Sequence, residues 1–523
     1  MKNADNWPEV VAKQEEHIAQ LEQRLTKMEA LVKFYEGQFR LMKHRQFGAS
    51  SEKSQYDNSQ LSLFNEAEVT SDLSIAEPEL IAIEKHYRKT KRTNSDRLPE
   101  NLPVEVVEYE LPINEQTCPE CGELLHTMGR ETRRELKIIP AQAIIVEHVR
   151  HVYSCRSCEK DSINVPILKA RLPEPVIKGS FATPESVAHI MNQKFVMSSP
   201  LYRLEQEFQR DGIMLSRQTM SNWLIRCAED WLTPIYEKMK TDLLKQTVLF
   251  ADETTLQVLK EPGKTAQSKS YMWLYRTGGD TERPIVLYEY QPDRRSIHPM
   301  NFLRGFSGYL HTDGYEGYHK FPENIVIIGC FSHCRRKYDQ ALKSLPEKDR
   351  IGSTAMQGLH YCDRLFAIEQ KLAESTPQER HTKRQELAKP LMEEFFIWAE
   401  SLKVIPKSGI GQAIHYTMSQ RQYLERYLLD GRLEISNNRS ERSIKPFVIG
   451  RKNWLFNNTP KGARSSSIIY SIIETAKENG LNPFAYLTYV FKTAPNIDFR
   501  NDPIALESLM PWHQPKPEKV PGI

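Results

Sequence analysis

No stretch of the chain approaches the roughly 18 consecutive apolar residues of a membrane-spanning helix, and the start, MKNADNWPEV, lacks the basic-then-apolar layout of a secretory signal. A cytoplasmic protein with no membrane partner is the expectation. Net charge is nearly absent as well: 71 Lys and Arg stand against 68 Asp and Glu, a formal charge of +3. A nucleic-acid partner can therefore be argued only from local clusters of cations, never from the total. Cysteine is sparse and uneven, since four of the eight fall in two Cys-x-x-Cys pairs. In a reducing compartment that pattern favours metal over disulfides. With 39% hydrophobic and 27% charged residues, the chain can bury large cores and should divide into several domains.

What is present begins with one long helical pattern over residues 9–45. Val11, Gln14, Ile18, Leu21, Leu25, Met28, Val32, Tyr35, Phe39 and Met42 alternate steps of three and four. A stripe this narrow is the seam of a self-associating coiled coil rather than the wider face of a helix packed on its own protein. Residues 55–100 have no sustained period and turn from acidic to basic, which reads as a linker. Cys118-Pro-Glu-Cys121 and Cys155-Arg-Ser-Cys158 come next, thirty-three residues apart. Each pair sets two thiolates on one tight turn, as tetrahedral structural zinc requires, and four protein ligands leave no open position for catalysis. Between them RRELKIIP and AIIVEHVRHVYSC are rich in β-branched residues, so strands of a zinc ribbon are expected.

From Thr183 the pattern turns helical. Thr183 caps TPESVAHIMNQKF with Pro184 at its first position, LYRLEQEFQRDG stops at Gly212, and Ser216 caps RQTMSNWLIRCAEDWL. That is the arithmetic of a helix-turn-helix, whose second helix would offer Arg217, Gln218, Ser221 and Asn222 to a groove; ordinary helical bundles share it. Three strands are expected next, in TVLFADETTLQVL, SYMWLYRTGG and PIVLYEY. Asp252 sits inside the first, where an unpaired carboxylate is costly, and Glu253 should face the opposite side. FSGYLHTDGYEGY puts Asp313 at the end of a further short strand, and IVIIGCFSHCRRKYDQAL reads as strand then basic helix.

The most basic block lies late in the chain. Seven Lys or Arg fall between Arg439 and Arg464, and Glu441 is the only acid among them. Such a block is commonly a solvated face, but a carboxylate inside it suits a metal that must meet a phosphate backbone. An acid in a first strand, a second after a later strand and a third on a helix are how a ribonuclease H-like sheet holds two divalent ions. Carboxylates are hard ligands for Mg2+ or Mn2+, and two such ions about 4 Å apart serve in-line phosphoryl displacement. Residues 338–430, far more than a crossover needs, read as amphipathic helices inserted into that core. Two helices broken at Gly480 and Pro483 should cover it.

These motifs together resemble the insertion-sequence sixty-six group of bacterial DDE transposases. The carriers are CPECG with CRSC, SPLYRLEQEFQRDGIMLSRQTMSNW, FADETTLQVL, YLHTDGYEGY, CFSHCRRKY, NNRSERSIKPFVIGRKNWLF, TAKENGLNPFAYL and SLMPW. The resemblance implies a multidomain α+β chain. Its parts are an N-terminal coiled coil (1–50), a linker (51–105), a zinc ribbon (106–175), a helix-turn-helix-like region (176–240), and a ribonuclease H-like core (241–337 and 431–495) with a helical insertion (338–430) and a tail (496–523). It assigns Asp252, Asp313 and Glu441 as metal-binding catalytic acids, with Glu434 an entrance to a helix capped near Ser436 and stopped before Pro446. Related transposases carry a cation seven residues after the third acid, where this chain has Val448; Lys445, Arg451 and Lys452 are the substitutes, with Arg335, Arg336, Arg439 and Arg442 as further phosphate contacts. His333 is a candidate acid–base group, although beside Mg2+ chemistry it rather positions phosphate or packs. The implied partners are double-stranded DNA at the element's ends and target, a second copy, and small accessory proteins of the same element, all at the nucleoid. The implied reaction is cleavage that exposes a 3'-hydroxyl, then its attack on target DNA. A non-catalytic DNA-binding regulator and a nuclease that cuts without joining are the alternatives.

Overall fold

The computed structural model describes residues 143–154 and 167–515, together with scattered positions between 14 and 39. They fall into two units. In the smaller unit Val152–Ser154 (β1) pairs antiparallel with Ile167–Lys169 (β2), and Arg150 Nε donates to the Ala170 carbonyl. Of the β-branched run 143–154 only Val152–Ser154 is a strand, less than the sequence suggests. The four zinc-pair cysteines lie outside the described residues. Within the larger unit, the described positions from Gln14 to Phe39 are helical, and Ile18, Leu21, Leu25, Met28, Val32, Tyr35 and Phe39 are all exposed.

A five-stranded mixed sheet organises the larger unit, which makes the protein mixed α+β. Val248–Gln257 (β3), Lys269–Thr277 (β4) and Val286–Gln291 (β5) form an antiparallel meander; Gly308–His311 (β6) and Ile325–Ile328 (β7) then add parallel to the other side of β3, giving the order β5-β4-β3-β6-β7. Successive side chains of β3 go to opposite faces. Val248 and Phe250 enter one hydrophobic core, and Leu249 and Ala251 enter another.

The core holding Leu249 and Ala251 is walled by Pro184–Met191 (α1), Leu201–Arg210 (α2), Arg217–Cys227 (α3) and Thr233–Leu243 (α4). Their caps agree with the sequence reading: the Thr183 and Ser186 side chains cap reciprocally, Pro184 opens α1, Gly212 takes φ +77 after α2, and Ser216 Oγ accepts from Thr219 N–H. Only glycine adopts that φ without strain, so α2 ends there. A short helix, Ile297–Phe302 (α5), comes after β5. The opposite core is built by Phe331–Ser344 (α6), Thr354–Lys371 (α7), Lys389–Ser401 (α9) and Gly409–Glu425 (α10), with Pro377–Lys383 (α8) linking them. Arg384, 1% exposed, ties this layer to the segment after α10: it pairs with Glu369 and donates to the carbonyls of Tyr427, Asp430 and Leu433.

Asn438–Trp454 (α11) then carries the basic block back to the sheet. Asn437, next to Ser436, takes its N-cap position without a side-chain cap bond, and the helix passes through Pro446 instead of stopping before it. Proline removes one backbone bond, but Ser443, Ile444, Phe447 and Gly450 bury one continuous face across it, and that burial outweighs the loss. Pro460–Glu478 (α12) lies along β5. There Ser471 Oγ and Thr475 Oγ1 accept from the backbone N–H groups of Tyr288 and Val286 at 2.7 and 3.0 Å, so helix hydroxyls satisfy the open side of an edge strand. Gly480 at φ +77 ends that helix, Pro483–Thr493 (α13) comes next, and Pro503–Ser508 (α14) closes the described chain.

Candidate active site

The register of the parallel strands builds the site. Phe250, His311 and Ile328 are cross-strand partners on β3, β6 and β7. Two residues further along the chain from each come Asp252, still within β3, and Asp313 and Cys330, just past the ends of β6 and β7. Neighbouring strands are about 4.8 Å apart, so β3 and β6 bring the two acids to the same end of the sheet. His311 beneath them is fully buried, its ring stacked on Phe250 at 4.2 Å. Burial, and the cations Arg384 and Arg439, push its pKa down to about 3, so it is a neutral packing group.

The third acid arrives from α11. Asn437, 1% exposed, donates through Nδ2 to the carbonyl of Ala251 at 2.9 Å, fastening the helix start to the residue before Asp252. Glu441 lies in the first turn of α11, one turn past that anchor. Asp252 registers the convergence: its pKa is held well above the usual carboxylate range, first by burial, then by the charges of Glu253, Asp313 and Glu441. Only one backbone bond opposes this, from Glu253 N–H to Asp252 Oδ1 at 2.8 Å. Asp313 Oδ1 accepts from Tyr315 N–H at 2.9 Å, which fixes the turn after β6. Glu441 Oε1 is buried with no hydrogen-bond partner.

Glu253, beside Asp252, does have partners. Arg294 donates to its Oε1 through Nε at 2.7 Å and through Nη2, and Tyr318 OH donates to Oε2 at 2.7 Å. Arg294 in turn lies 3.8 Å from the Tyr315 ring centroid, and Tyr315 OH donates to the Arg294 carbonyl. Burial and Asp313 still raise the Glu253 pKa, with Arg294 and Tyr318 pulling it back. The sequence showed the residue but not this strut, because Arg294 and Tyr318 belong to no motif with it.

The predicted cations divide. Arg336 Nη2 stands 3.6 Å from Glu441 Oε2, and His333 Nδ1 stands 3.7 Å from Glu441 Oε1, both from α6. Arg335 on the same helix turns to the inserted layer and bonds Asp363 at 2.7 Å. Arg439 pairs with Glu434, whose backbone N–H bonds His311 Nε2. Arg451 reaches back to β3 and donates to Thr254 and Thr255 Oγ1. Arg442 and Lys452 are exposed, and Lys445 is half-buried. On α3, Gln218 and Asn222 are exposed, while Arg217 is held by Glu205 at 3.8 Å and lies over the Tyr202 ring.

Known families account for this arrangement. The model described as the Transposase IS66 family matches residues 179–465, the stretch that carries the whole sheet, the three acids and the inserted helices. Further matches are the zinc-finger binding domain of transposase IS66 (115–159), the Transposase C of IS166 homeodomain (35–107) and the IS66 C-terminal element (471–512). The class is therefore transposase. The chain belongs to the IS66 family, the transposases of an insertion element. Two relatives from Sinorhizobium fredii (strain NBRC 101917 / NGR234) are themselves uncharacterized proteins: y4jD is 30% identical over 82% of this chain and 83% of its own length, and y4qI is 30% identical over 80% and 76%. Among the described residues no helix is long and apolar enough to cross a membrane.

Proposed function

We propose that this protein binds the terminal inverted repeats of its insertion sequence and catalyses divalent-metal-dependent strand cleavage and strand transfer with Asp252, Asp313 and Glu441. The observation that carries the reading is the convergence of Asp252 on β3, Asp313 just past the parallel neighbour β6, and Glu441 one turn beyond the Asn437–Ala251 anchor. Three carboxylates from three distant segments are held close enough to repel, at a cost that a cation between them would remove. The donor set fits a hard ion, since all three ligands are carboxylates and Glu441 Oε1 has no other partner. A bound Mg2+ or Mn2+ pair would supply Lewis-acid stabilisation of the phosphoryl group and a more nucleophilic attacking oxygen. Asp252, Asp313 and Glu441 would hold it. Asn437 sets the reach of Glu441, the Glu253–Arg294 strut orients the turn of Asp313, and Arg336 faces the scissile region with a cation for phosphate oxygens. Neither step needs a covalent protein intermediate.

The strand order, with the first acid on β3, the second after β6 and the third on a helix, supports a ribonuclease H-like core. The separate hydrophobic core of α6 to α10 supports reading 338–430 as an insertion. The exposed apolar stripe from Ile18 to Phe39 supports homo-oligomerisation through a coiled coil, and the zinc-finger match supports structural zinc on Cys118, Cys121, Cys155 and Cys158. DNA contacts are assigned to Arg217, Gln218, Asn222, Arg335, Arg336, Arg439, Arg442, Lys445, Arg451 and Lys452. The test is incubation of the purified protein and its accessory partners with labelled element ends and Mg2+. Joined products are expected, and Asp252→Asn should abolish them. Joining by that variant would sink the catalytic assignment, cutting without joining would favour a nuclease, and binding alone a regulator.

A further inference from the structure

Beside the three acids stands a second group of potential ligands, of which the proposed reaction uses only Glu441. Cys330 lies two residues past Ile328, the last residue of β7, as Asp313 lies two past His311 at the end of β6 and Asp252 two past Phe250 within β3. It is 1% exposed and caps the start of α6, and His333 lies in the first turn of that helix. One ligand atom each from Cys330, His333 and Glu441 lies within 4.8 Å of the other two. Sγ of Cys330 already accepts the Asn437 backbone N–H at 3.1 Å, the kind of outer bond that orients a metal-binding thiolate.

The spacing between His333 and Glu441 is the informative one. Nδ1 and Oε1 are 3.7 Å apart, too far to hydrogen-bond, yet both atoms are buried and neither has another partner. Two ligands of one tetrahedral ion with bonds of about 2.0–2.2 Å stand roughly 3.4 Å apart, so a metal closes this gap where a proton does not. The donors differ from the acid triad in kind. One thiolate, one imidazole and one carboxylate form a soft, borderline set that selects zinc over magnesium.

We propose that Cys330, His333 and Glu441 form a zinc site that shares Glu441 with the proposed catalytic centre, so that zinc captures the third acid and switches the Mg2+-supported reaction off. Zinc takes the place of the Cys330 thiol proton, which leaves to solvent; His333 binds through Nδ1 and Glu441 through Oε1, and water fills the fourth position. No oxidation or reduction is involved. The binding half stands on geometry alone, and only the inhibitory half rests on Glu441 being a catalytic ligand.

Zinc content of the full-length protein, measured after equilibration with Zn2+ and removal of the free ion, tests the binding half. One equivalent beyond that held by the Cys118, Cys121, Cys155 and Cys158 set is expected, and it should vanish in Cys330→Ser and in His333→Gln. Thermal unfolding of both variants checks that they are folded; His333, which is not in the hydrophobic core, keeps the test sound if Cys330→Ser is not. Equal zinc content in wild type and folded variants overturns the proposal. In the second arm Zn2+ is titrated into the Mg2+-supported strand-cleavage reaction, where Cys330→Ser should need at least about tenfold more zinc for half-inhibition. Identical inhibition curves overturn the switch. Absence of any Mg2+-supported cleavage would instead remove the catalytic reading and leave the zinc stoichiometry to be judged by itself.

Discussion

Removing Arg294 should expose how much the acid cluster depends on a cation that touches none of its three members. Glu253 is 1% exposed in its side chain, against 39% for Arg294, so truncating the arginine leaves a carboxylate that water cannot reach, next to Asp252 and Asp313. Breaking a buried pair from one side costs about 3–5 kcal/mol; the half-exposed arginine argues for the lower end, about 3 kcal/mol. With an unfolding entropy of about 2.1 cal/mol/K per residue over roughly 345 residues, Arg294→Ala should lower Tm by about 4 °C. The loss has a sign in pH. Without Arg294 the raised pKa of Glu253 rises further, so the penalty is present at neutral and alkaline pH and fades as pH falls and the carboxyl takes up its proton. Glu253→Gln should therefore rescue Arg294→Ala, the double variant being more stable at pH 8 than the arginine variant alone. Calorimetry of the four proteins, wild type, both singles and the double, measures the coupling. A double variant no more stable than Arg294→Ala, or a loss independent of pH, would refute the reasoning.

The same geometry has other consequences. Burial pushes the Glu289 carboxyl up to about 7, and its Oε2 has no partner, so it destabilises the fold above that pH and not below about 4.3; Glu289→Gln should raise stability at pH 8 by up to about 3 kcal/mol and leave it unchanged at pH 4, as denaturant titrations at the two pH values would read. A Cβ at Gly431 would overlap the Pro377 carbonyl, so Gly431→Ala should cost about 1–3 kcal/mol and also weaken activity by shifting the loop that leads to Glu434 and α11, measured by unfolding and strand transfer on the same preparation. Asn437→Ala leaves the Ala251 carbonyl unpaired and should cost about 1–3 kcal/mol, with a higher Mg2+ requirement for cleavage because Glu441 loses its anchor. Mg2+ should raise the Tm of the wild type and not of Asp252→Asn, which differential scanning at matched ionic strength would decide.

The strands of the sheet were readable because apolar alternation and β-branched residues were undisturbed, and Asp252 stood out as an acid inside the first strand and Asp313 as one just past a later strand. Glu434 and Glu441 are both visible as acids around the basic block, and only the resemblance singles out Glu441 as the third. Its geometry depends on Asn437 reaching Ala251 across 186 residues, and no local pattern records that bond. Pro446 misled for the opposite reason. A local rule predicts a stop there, and the burial of Ile444 and Phe447 on either side overrides it. Basic residues were countable but not assignable: nothing in CFSHCRRK distinguishes Arg336, which faces Glu441, from Arg335, which faces Asp363. The likeness in position of Cys330, Asp252 and Asp313 is a property of strand register, which appears only once three strands are aligned.

The hydroxyl lining along β5 also sets an order of events during synthesis. Val286 and Thr475 are 189 residues apart in the chain, so at about 5–20 residues per second the strand leaves the ribosome roughly 10–40 s before the helix that will cover it. Through that interval its outer N–H groups are open to any extended segment, including the same strand of a neighbouring nascent chain. A chain truncated before Pro460 keeps the sheet and all three acids but never closes that edge, and it should accumulate as aggregate rather than as a small active core.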